Sequence, residues 1–467
     1  MCEKYSIRIR ADDFTYLKGL LFPGDNKEAV AFAICSVARG VERTRLLVRE
    51  IISLPQSDYL KRSELQVAWT TKSLIPVLAR LEKENLCLIK CHSHPSGRAE
   101  FSSVDDISDR SFLPNCYQWN PQGVHASLVM TEDNITARVV FEDGSFKHAD
   151  TIQIVGERVA WYRKGKIFKP SPEQQRLIQA FGEGTYRTLR NLRIAVVGAS
   201  GIGSLVNEAL MRTGVGEIVT VDPDHIDFVN LNRVLHSTKR DAKNKTTKTN
   251  LLARSVASAG FETKITELPF DLQTPEVIRH IAGCDLIMGC VDNREARQLL
   301  CRIAAFYLLP YIDAGVAIRA EASGKIESIS TGIHYIQPGQ SFLSRGVFDT
   351  EALRSEALQR IDPNHFDEQL KQGYVLGVDV ERPAVMPLNM IAAGYAVMEL
   401  LARIHGIRIE QEDDMRAAET LISIDVGYIQ QRPDLNPCPG LSRYIGLGDV
   451  VPLLAMPVLN VDEEDAA

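Results

Sequence analysis

No stretch of this 467-residue chain stays apolar for the ~18 residues that a membrane-spanning helix needs, so no membrane span is expected. A basic excess is lacking too. Against 53 lysines and arginines stand 60 aspartates and glutamates, a formal net charge of −7. A nucleic-acid footprint would be basic, so nucleic acid is not expected as a partner. The nine cysteines are scattered and odd in number, and none lies between Cys301 and Cys438. The opening MCEKYSIRIRADDF is charged and has no apolar core of a secretory signal, so the thiols read as reduced and the location as cytoplasmic. Internal repeats and low-complexity tracts do not stand out. What is left is ordinary globular composition, 45% hydrophobic and 24% charged, with length for about two to four domains.

The first part of the chain mixes short β-rich runs (AVAFAICSVA, LCLIKCHSH, ASLVMT, TARVVFEDGSF) with helical stretches, an α+β pattern. Asp143-Gly144 marks a hairpin turn. A basic segment with Pro170 and Pro172 follows, and a helix is expected from Pro172. We place the boundary there, with domains at 1–165 and 172–467. The second domain opens with NLRIAVVGASGIGSLVNEALMRTGVGEIVTVDPD: buried strand, glycine-rich turn, helix, second strand ending in acids. That is the first unit of a doubly wound, Rossmann-like parallel sheet. CDLIMGCVDN, PYIDAG and KIESIS read as further strands; NKTTKTNLLARSVASAG and LNMIAAGYAVMELLARI read as covering helices. The closing VDEEDAA reads as a frayed acidic tail.

The most informative segment is HSHPSGRAEFSSVD, residues 92–105. On an extended segment His92 and His94 point to the same side. Asp105 can return as a third ligand if a turn and a helix start at Ser102 and Ser103. Three protein ligands leave one position open, the layout of a catalytic zinc. The pattern resembles the JAB/JAMM metalloproteases, the family of metal-dependent deubiquitinases. By that resemblance His92, His94 and Asp105 bind zinc, Ser102 stabilises an oxyanion, and an upstream glutamate is the general acid/base. Glu28, at the head of EAVAFAIC, is its best match.

Gly198, Gly201 and Gly203 let the backbone turn tightly and approach a phosphate, and the helix starting near Ile202 offers free amides to that anion. Asp222 follows at the distance of a ribose-binding carboxylate. Alone, this loop fits a dinucleotide dehydrogenase equally well. VDPDHIDFVNLNRVLH, a following lysine and CVDNREAR, however, together resemble the adenylating domain of ubiquitin-activating enzymes and their bacterial relatives of ThiF, MoeB and HesA type, over roughly residues 172–430. Those relatives activate sulfur-carrier proteins. The resemblance implies ATP and Mg2+, with Asp222 on the ribose, Asn230 and Arg233 on the phosphates, and Lys248 also on phosphate, its close rivals being Lys243 and Lys245. It implies Asp292 at the magnesium, and Arg176 donated across a homodimer.

Two departures from that family stand out. Many members hold a structural zinc on two Cys-x-x-Cys pairs. Here Ser341 and Ser344 stand at the first pair, and at the second only Cys438 remains, opposite Leu441, so no structural zinc is expected. With no cysteine in the crossover region, adenylation without an enzyme thioester is expected. Both resemblances concern the C-terminal glycine of a ubiquitin-like fold. They imply a bifunctional enzyme that trims or deconjugates such a protein and adenylates it, in a prokaryotic pathway such as antiphage defence, with a conjugating-type enzyme as a further partner. Two alternatives stay open: trimming and activation of a sulfur carrier in biosynthesis, and a non-catalytic carrier-binding scaffold.

Overall fold

The computed structural model describes residues 4–40, 43–163, 168–320, 325–371, 385–405, 417–433 and 436–459; the acidic tail lies outside them. Two compact units divide the chain. The first comprises Met1–Lys166, Phe306–Leu308 and Ile445–Ala467, the second Ile167–Ala305 and Leu309–Tyr444. A second domain running to 467 had been expected, but the last segment groups with the first unit. Asp449 is one reason: its N–H donates to the Val37 carbonyl at 3.0 Å, and its side-chain Oδ2 accepts from Arg39 N–H at 2.6 Å.

In the first unit a nine-stranded mixed sheet runs in the order Ala160–Arg163, Thr151–Val155, Lys4–Arg10, Arg43–Ser53, Val30–Arg39, Cys87–Ser93, Ala126–Met130, Ile135–Val140, Phe146–His148. Strand Val30–Arg39 lies in the middle and is apolar on both faces, as a doubly covered strand must be. Val30, Phe32 and Ile34 pack with Leu74, Val77 and Leu81, the last two on helix Ile75–Lys83. Ala31, Ala33 and Cys35 face the other way, toward Leu17 and Leu21 of helix Ala11–Leu21. Its neighbour Cys87–Ser93 runs antiparallel, with Val30 opposite His92. The same alternation puts Leu88, Lys90 and His92 on one face of that strand. The hairpin turn at Asp143-Gly144 joins Ile135–Val140 to Phe146–His148, with Gly144 at φ +76°.

In the second unit five parallel strands lie in the order Lys264–Leu268, Glu217–Val221, Arg193–Val197, Leu286–Gly289, Tyr311–Ala320, followed by antiparallel Ile326–Ile336, Glu419–Ser423 and Tyr428–Arg432. The chain starts at the middle strand, Arg193–Val197, winds outward, then returns to its other side. This places a topological switch point between Arg193–Val197 and Leu286–Gly289, where such sheets bind ligands. Helix Gly201–Arg212 follows the glycine turn directly. The helix expected through NKTTKTNLLARSVASAG is two helices. Lys239–Asn244 ends at left-handed Lys245, and Lys248–Ala259 restarts under a Thr247 cap whose hydroxyl accepts from Asn250 N–H. The helix expected from Pro172 begins as a 3-10 turn, Pro172–Gln174, and continues as Gln175–Asn191 with a break at Gly182, φ +82°. Among the described residues no helix is long and apolar enough to cross a membrane.

Candidate functional site

In the first unit the sheet register brings the histidines and Glu28 together. Val30 pairs with His92, and Ser93 N–H donates to the Ala29 carbonyl at 3.1 Å. Continuing that antiparallel register sets Glu28 opposite His94, and Glu28 Oε1 lies 3.9 Å from His94 Nε2. Asp105 arrives from helix Ser103–Phe112. Ser102 caps that helix: its hydroxyl accepts from Asp105 N–H, while its own N–H and O–H both donate to Asp105 Oδ2 at 2.7 Å. The carboxylate meets both imidazoles, with Oδ1 3.0 Å from His92 Nε2 and Oδ2 3.4 Å from His94 Nε2. The ligand-type atoms of His92, His94 and Asp105 lie within 4.8 Å of one another. His92 is buried, and its Nδ1 has no hydrogen-bond partner among the described residues. Two imidazoles and a carboxylate converging in this way fit a zinc ion with an open position.

Electrostatics separate the two acids. Burial opposes ionisation of Asp105, but the two imidazoles and the Ser102 backbone override it and hold the carboxyl well below the usual range. Burial pushes Glu28 up to about 7, with repulsion from Asp105 adding to the rise and His94 opposing it. One acid is thereby fixed as an anion and the other poised to exchange a proton near neutrality. Burial lowers His92; at His94 burial works the same way, but Asp105 and the Arg98 carbonyl outweigh it and the net shift is upward.

A buried charge lattice anchors the helix that carries Asp105, and no local pattern marks it. Lys90, two residues before His92, pairs with Asp109 one turn beyond Asp105. Arg138 donates to Asp109 Oδ2 at 2.7 and 3.0 Å and pairs with Asp106 at 2.5 Å. Its guanidinium also lies 3.9 Å from the ring centroid of Phe101, next to Ser102.

In the second unit the glycine turn sits at the switch point. Gly198 adopts φ +91°, and a Cβ there would come within 2.5 Å of the Cys290 carbonyl; a Cβ on Gly203 would collide with the Gly198 carbonyl. Asp222, buried at the end of strand Glu217–Val221, accepts from Ala199 N–H at 2.7 Å and Asp224 N–H at 2.9 Å. Lys248, the first residue of its helix, is buried against these acids, with Nζ 2.6 Å from Asp224 Oδ2 and 3.4 Å from Asp222 Oδ1. Burial raises Asp222 despite that lysine. Lys245 instead pairs with Asp227, and Lys243 is exposed. Arg233 lies beside the turn, with Cδ 3.5 Å from where a Gly201 Cβ would stand, and donates to the Val229 carbonyl at 2.6 Å. Asn230 Oδ1 accepts from Asp227 N–H at 2.9 Å, so the amide is engaged in a local capping box. Asp292 is exposed just beyond strand Leu286–Gly289. Arg176 is exposed and bonds Gln179 of its own helix at 3.1 Å; no described contact joins it to the other residues of this group. Asp224 and Asn389 were not anticipated. Asp224 carries a signal, an acid two residues after Asp222; Asn389 is far along the chain and carries none.

The corner that in many relatives' pattern would carry two Cys-x-x-Cys pairs is tied here by serines and backbone amides. Ser341 N–H donates to Ser344 Oγ and Ser344 N–H to Ser341 Oγ, each at 3.1 Å, and Cys438 N–H donates to the Gly339 carbonyl at 2.7 Å. All eight described cysteines are buried or half-buried. Burial pushes Cys290 far up, and Cys301 up to about 12.

A doubly wound sheet with a phosphate-type turn, a buried acid and a lysine at its switch point defines a nucleotide-binding α/β class. Residues 173–437 match the ThiF family, and the chain belongs to it. Ubiquitin-like modifier-activating enzyme 5 of Dictyostelium discoideum is 28% identical over 168 residues, 33% of this chain and 41% of the relative. Sulfur carrier protein ThiS adenylyltransferase of Bacillus subtilis is 26% identical over 139 residues, 30% of this chain and 41% of the relative. The chain thus spans about two-fifths of the length of these curated relatives. Among solved structures, E. coli MccB with ATP is 18% identical, with 58% of this chain and 74% of that one covered at a TM-score of 0.43.

The buried lattice generates a stability prediction. Arg138→Ala removes the two-point partner of Asp109 and should cost about 3–5 kcal/mol, as breaking a buried ion pair does. Chemical denaturation followed by Trp fluorescence should show a lower midpoint; an unchanged midpoint would mean that the lattice contributes little.

Proposed function

We propose that the chain adenylates the C-terminus of a ubiquitin-like or sulfur-carrier protein with ATP, and that its first unit is a JAMM-type zinc peptidase acting on the same terminus, by precursor trimming or deconjugation. Membership of the ThiF family, with Asp222 and Lys248 at the switch point, is the observation that carries the adenylation. The relatives' names, one for a ubiquitin-like modifier and one for a sulfur carrier, support the class of partner. For the peptidase the support is the meeting of Glu28, His92, His94 and Asp105. A prokaryotic setting such as antiphage defence, a conjugating-type partner enzyme and a homodimer formed through the second unit belong to the same proposal.

In the adenylation, a carboxylate oxygen of the carrier bonds to the α-phosphorus as the bond to the pyrophosphate oxygen breaks. Two anions approach, so cationic groups must neutralise the growing charge. Lys248 and Arg233 would do so, Lys248 exchanging Asp224 for phosphate. Asp222 would meet the ribose, Asn230 the phosphates, and Asp292 would hold Mg2+. In the peptidase, His92, His94 and Asp105 would hold zinc, which when bound supplies a water with a pKa of about 7. Glu28 holds the abstracted proton on its carboxylate and returns it to the leaving amine. The Ser102 hydroxyl, now donating to Asp105, would donate to the developing oxyanion.

Purified chain should carry about one zinc, since the three ligands form one open site. Asp105→Ala should lose it, whereas Glu28→Gln should keep it and lose cleavage of a carrier with a C-terminal extension. Metal analysis that finds no zinc after repletion would refute the peptidase reading.

Carrier-dependent pyrophosphate exchange should fall about 100-fold or more in Lys248→Ala and Asp292→Ala, in line with loss of one charge-stabilising group. The carrier should form no thiol-sensitive adduct with the enzyme on a non-reducing gel, because the described thiols are buried or half-buried and the crossover segment has none. An adduct mapped to any cysteine would overturn that part.

Arg176 is proposed to act on the partner subunit's nucleotide. Mixed dimers of Arg176→Ala and Lys248→Ala chains should then recover part of the exchange activity; no recovery, with subunit exchange verified, would remove Arg176 from the site.

A further inference from the structure

Asn389 stands in the first turn of helix Met386–His405, far in sequence from the glycine turn. It is 1% exposed, and neither its Oδ1 nor its Nδ2 has a hydrogen-bond partner among the described residues. An amide taken out of water with both functions unpaired is costly, and such groups in folded proteins call for an explanation. Its surroundings supply one. The Nδ2 occupies the place where a side chain on Gly201 would begin, so any Cβ at Gly201 would strike it. Gly201 opens helix Gly201–Arg212, whose first N–H groups lack intrahelical partners. The Arg233 side chain reaches the same point. A helix N-terminus and an uncommitted amide, both donors to an anion, thus meet at one small volume, with the Arg233 stem alongside.

We infer that Asn389 is a further phosphate-binding residue of the nucleotide site, its Nδ2 donating to the phosphate chain of ATP at the glycine turn. The inference rests on the adenylation reading. It also accounts for glycine at 201 in a second way: the position must be bare so that the amide can reach the turn, in addition to letting the backbone approach phosphate. When phosphate arrives, Nδ2 gains an anionic acceptor. Oδ1 can take a hydrogen bond from the Arg233 guanidinium if that group turns from its present partners, the Val229 carbonyl and Asn232 Oδ1. Asn389 therefore joins the helix after the crossover segment to the phosphate clamp and makes that helix part of the site.

The test uses the full chain, with ATP and adenosine as the two probes, each titrated by calorimetry or by competition with a fluorescent nucleotide. Asn389→Leu keeps the volume and removes the amide. It should weaken ATP by about tenfold or more, the loss expected for one hydrogen bond to a charged group, and leave adenosine unchanged. Its thermal midpoint without nucleotide should not fall, since an unpaired buried amide has been removed, but the stabilisation conferred by ATP should shrink. Should Asn389→Leu misfold, Asn389→Asp keeps the shape and sets a carboxylate against the phosphates. It should weaken ATP further still, again sparing adenosine. Unchanged ATP affinity in a folded variant would overturn the inference, as would equal losses for ATP and adenosine, which would mark Asn389 as a packing residue. Wild-type chain that binds ATP no better than adenosine, with Lys248→Ala indifferent, would instead sink the adenylation reading on which the inference stands.

Discussion

A carboxylate removed from water must be ringed by donors, and both candidate sites are built around one that is. Asp222 takes the Ala199 and Asp224 backbone amides while facing Lys248. Asp105 takes the Ser102 amide and hydroxyl while facing His92 and His94. In each case one side chain settles two matters at once. It fixes a loop, and it presents negative charge where a cationic or metal-binding group must sit. A buried anion costs several kcal/mol unless it is so satisfied, on the order of the whole stability margin of a domain. The loops at 198–201 and 95–102 therefore cannot relax far without stranding these acids.

The legible parts of the structure are those written within a single element. His-x-His on a strand, Ser102 before a helix, and glycines after a buried strand each have a local period or cap that reveals them, and their placement followed. The break at Lys245 was harder, because Asn, Lys and Thr suit a helix interior tolerably. Thr247 as a cap decided it, and that threonine looked like one helical residue among several. The Lys90–Asp109–Arg138 lattice and Asn389 were illegible for a different reason. Each unites elements distant in sequence, and a lone lysine in a strand or asparagine in a helix carries no mark of its partner. The closing segment from Ile445 belongs to the same class, since its attachment to strand Val30–Arg39 runs through the Asp449 N–H and carboxylate, and a lone aspartate carries no mark of its partner.

Under the proposed function, one polypeptide would carry both a terminus-exposing and a terminus-activating chemistry. Linking two such activities raises the effective concentration of the first product for the second. The upward shift of Glu28 fits that proposal, since a carboxyl poised near neutrality would both take a proton and return it.

The serine-tied corner at Ser341 and Ser344 carries a consequence of its own. Thiolates that clamp a metal are open to peroxide, which converts them to sulfenic acids and disulfides and releases the ion. Hydroxyls and backbone amides offer an oxidant nothing to attack. A corner held by two reciprocal serine bonds and one Cys438 amide therefore does not depend on thiolates that peroxide could attack.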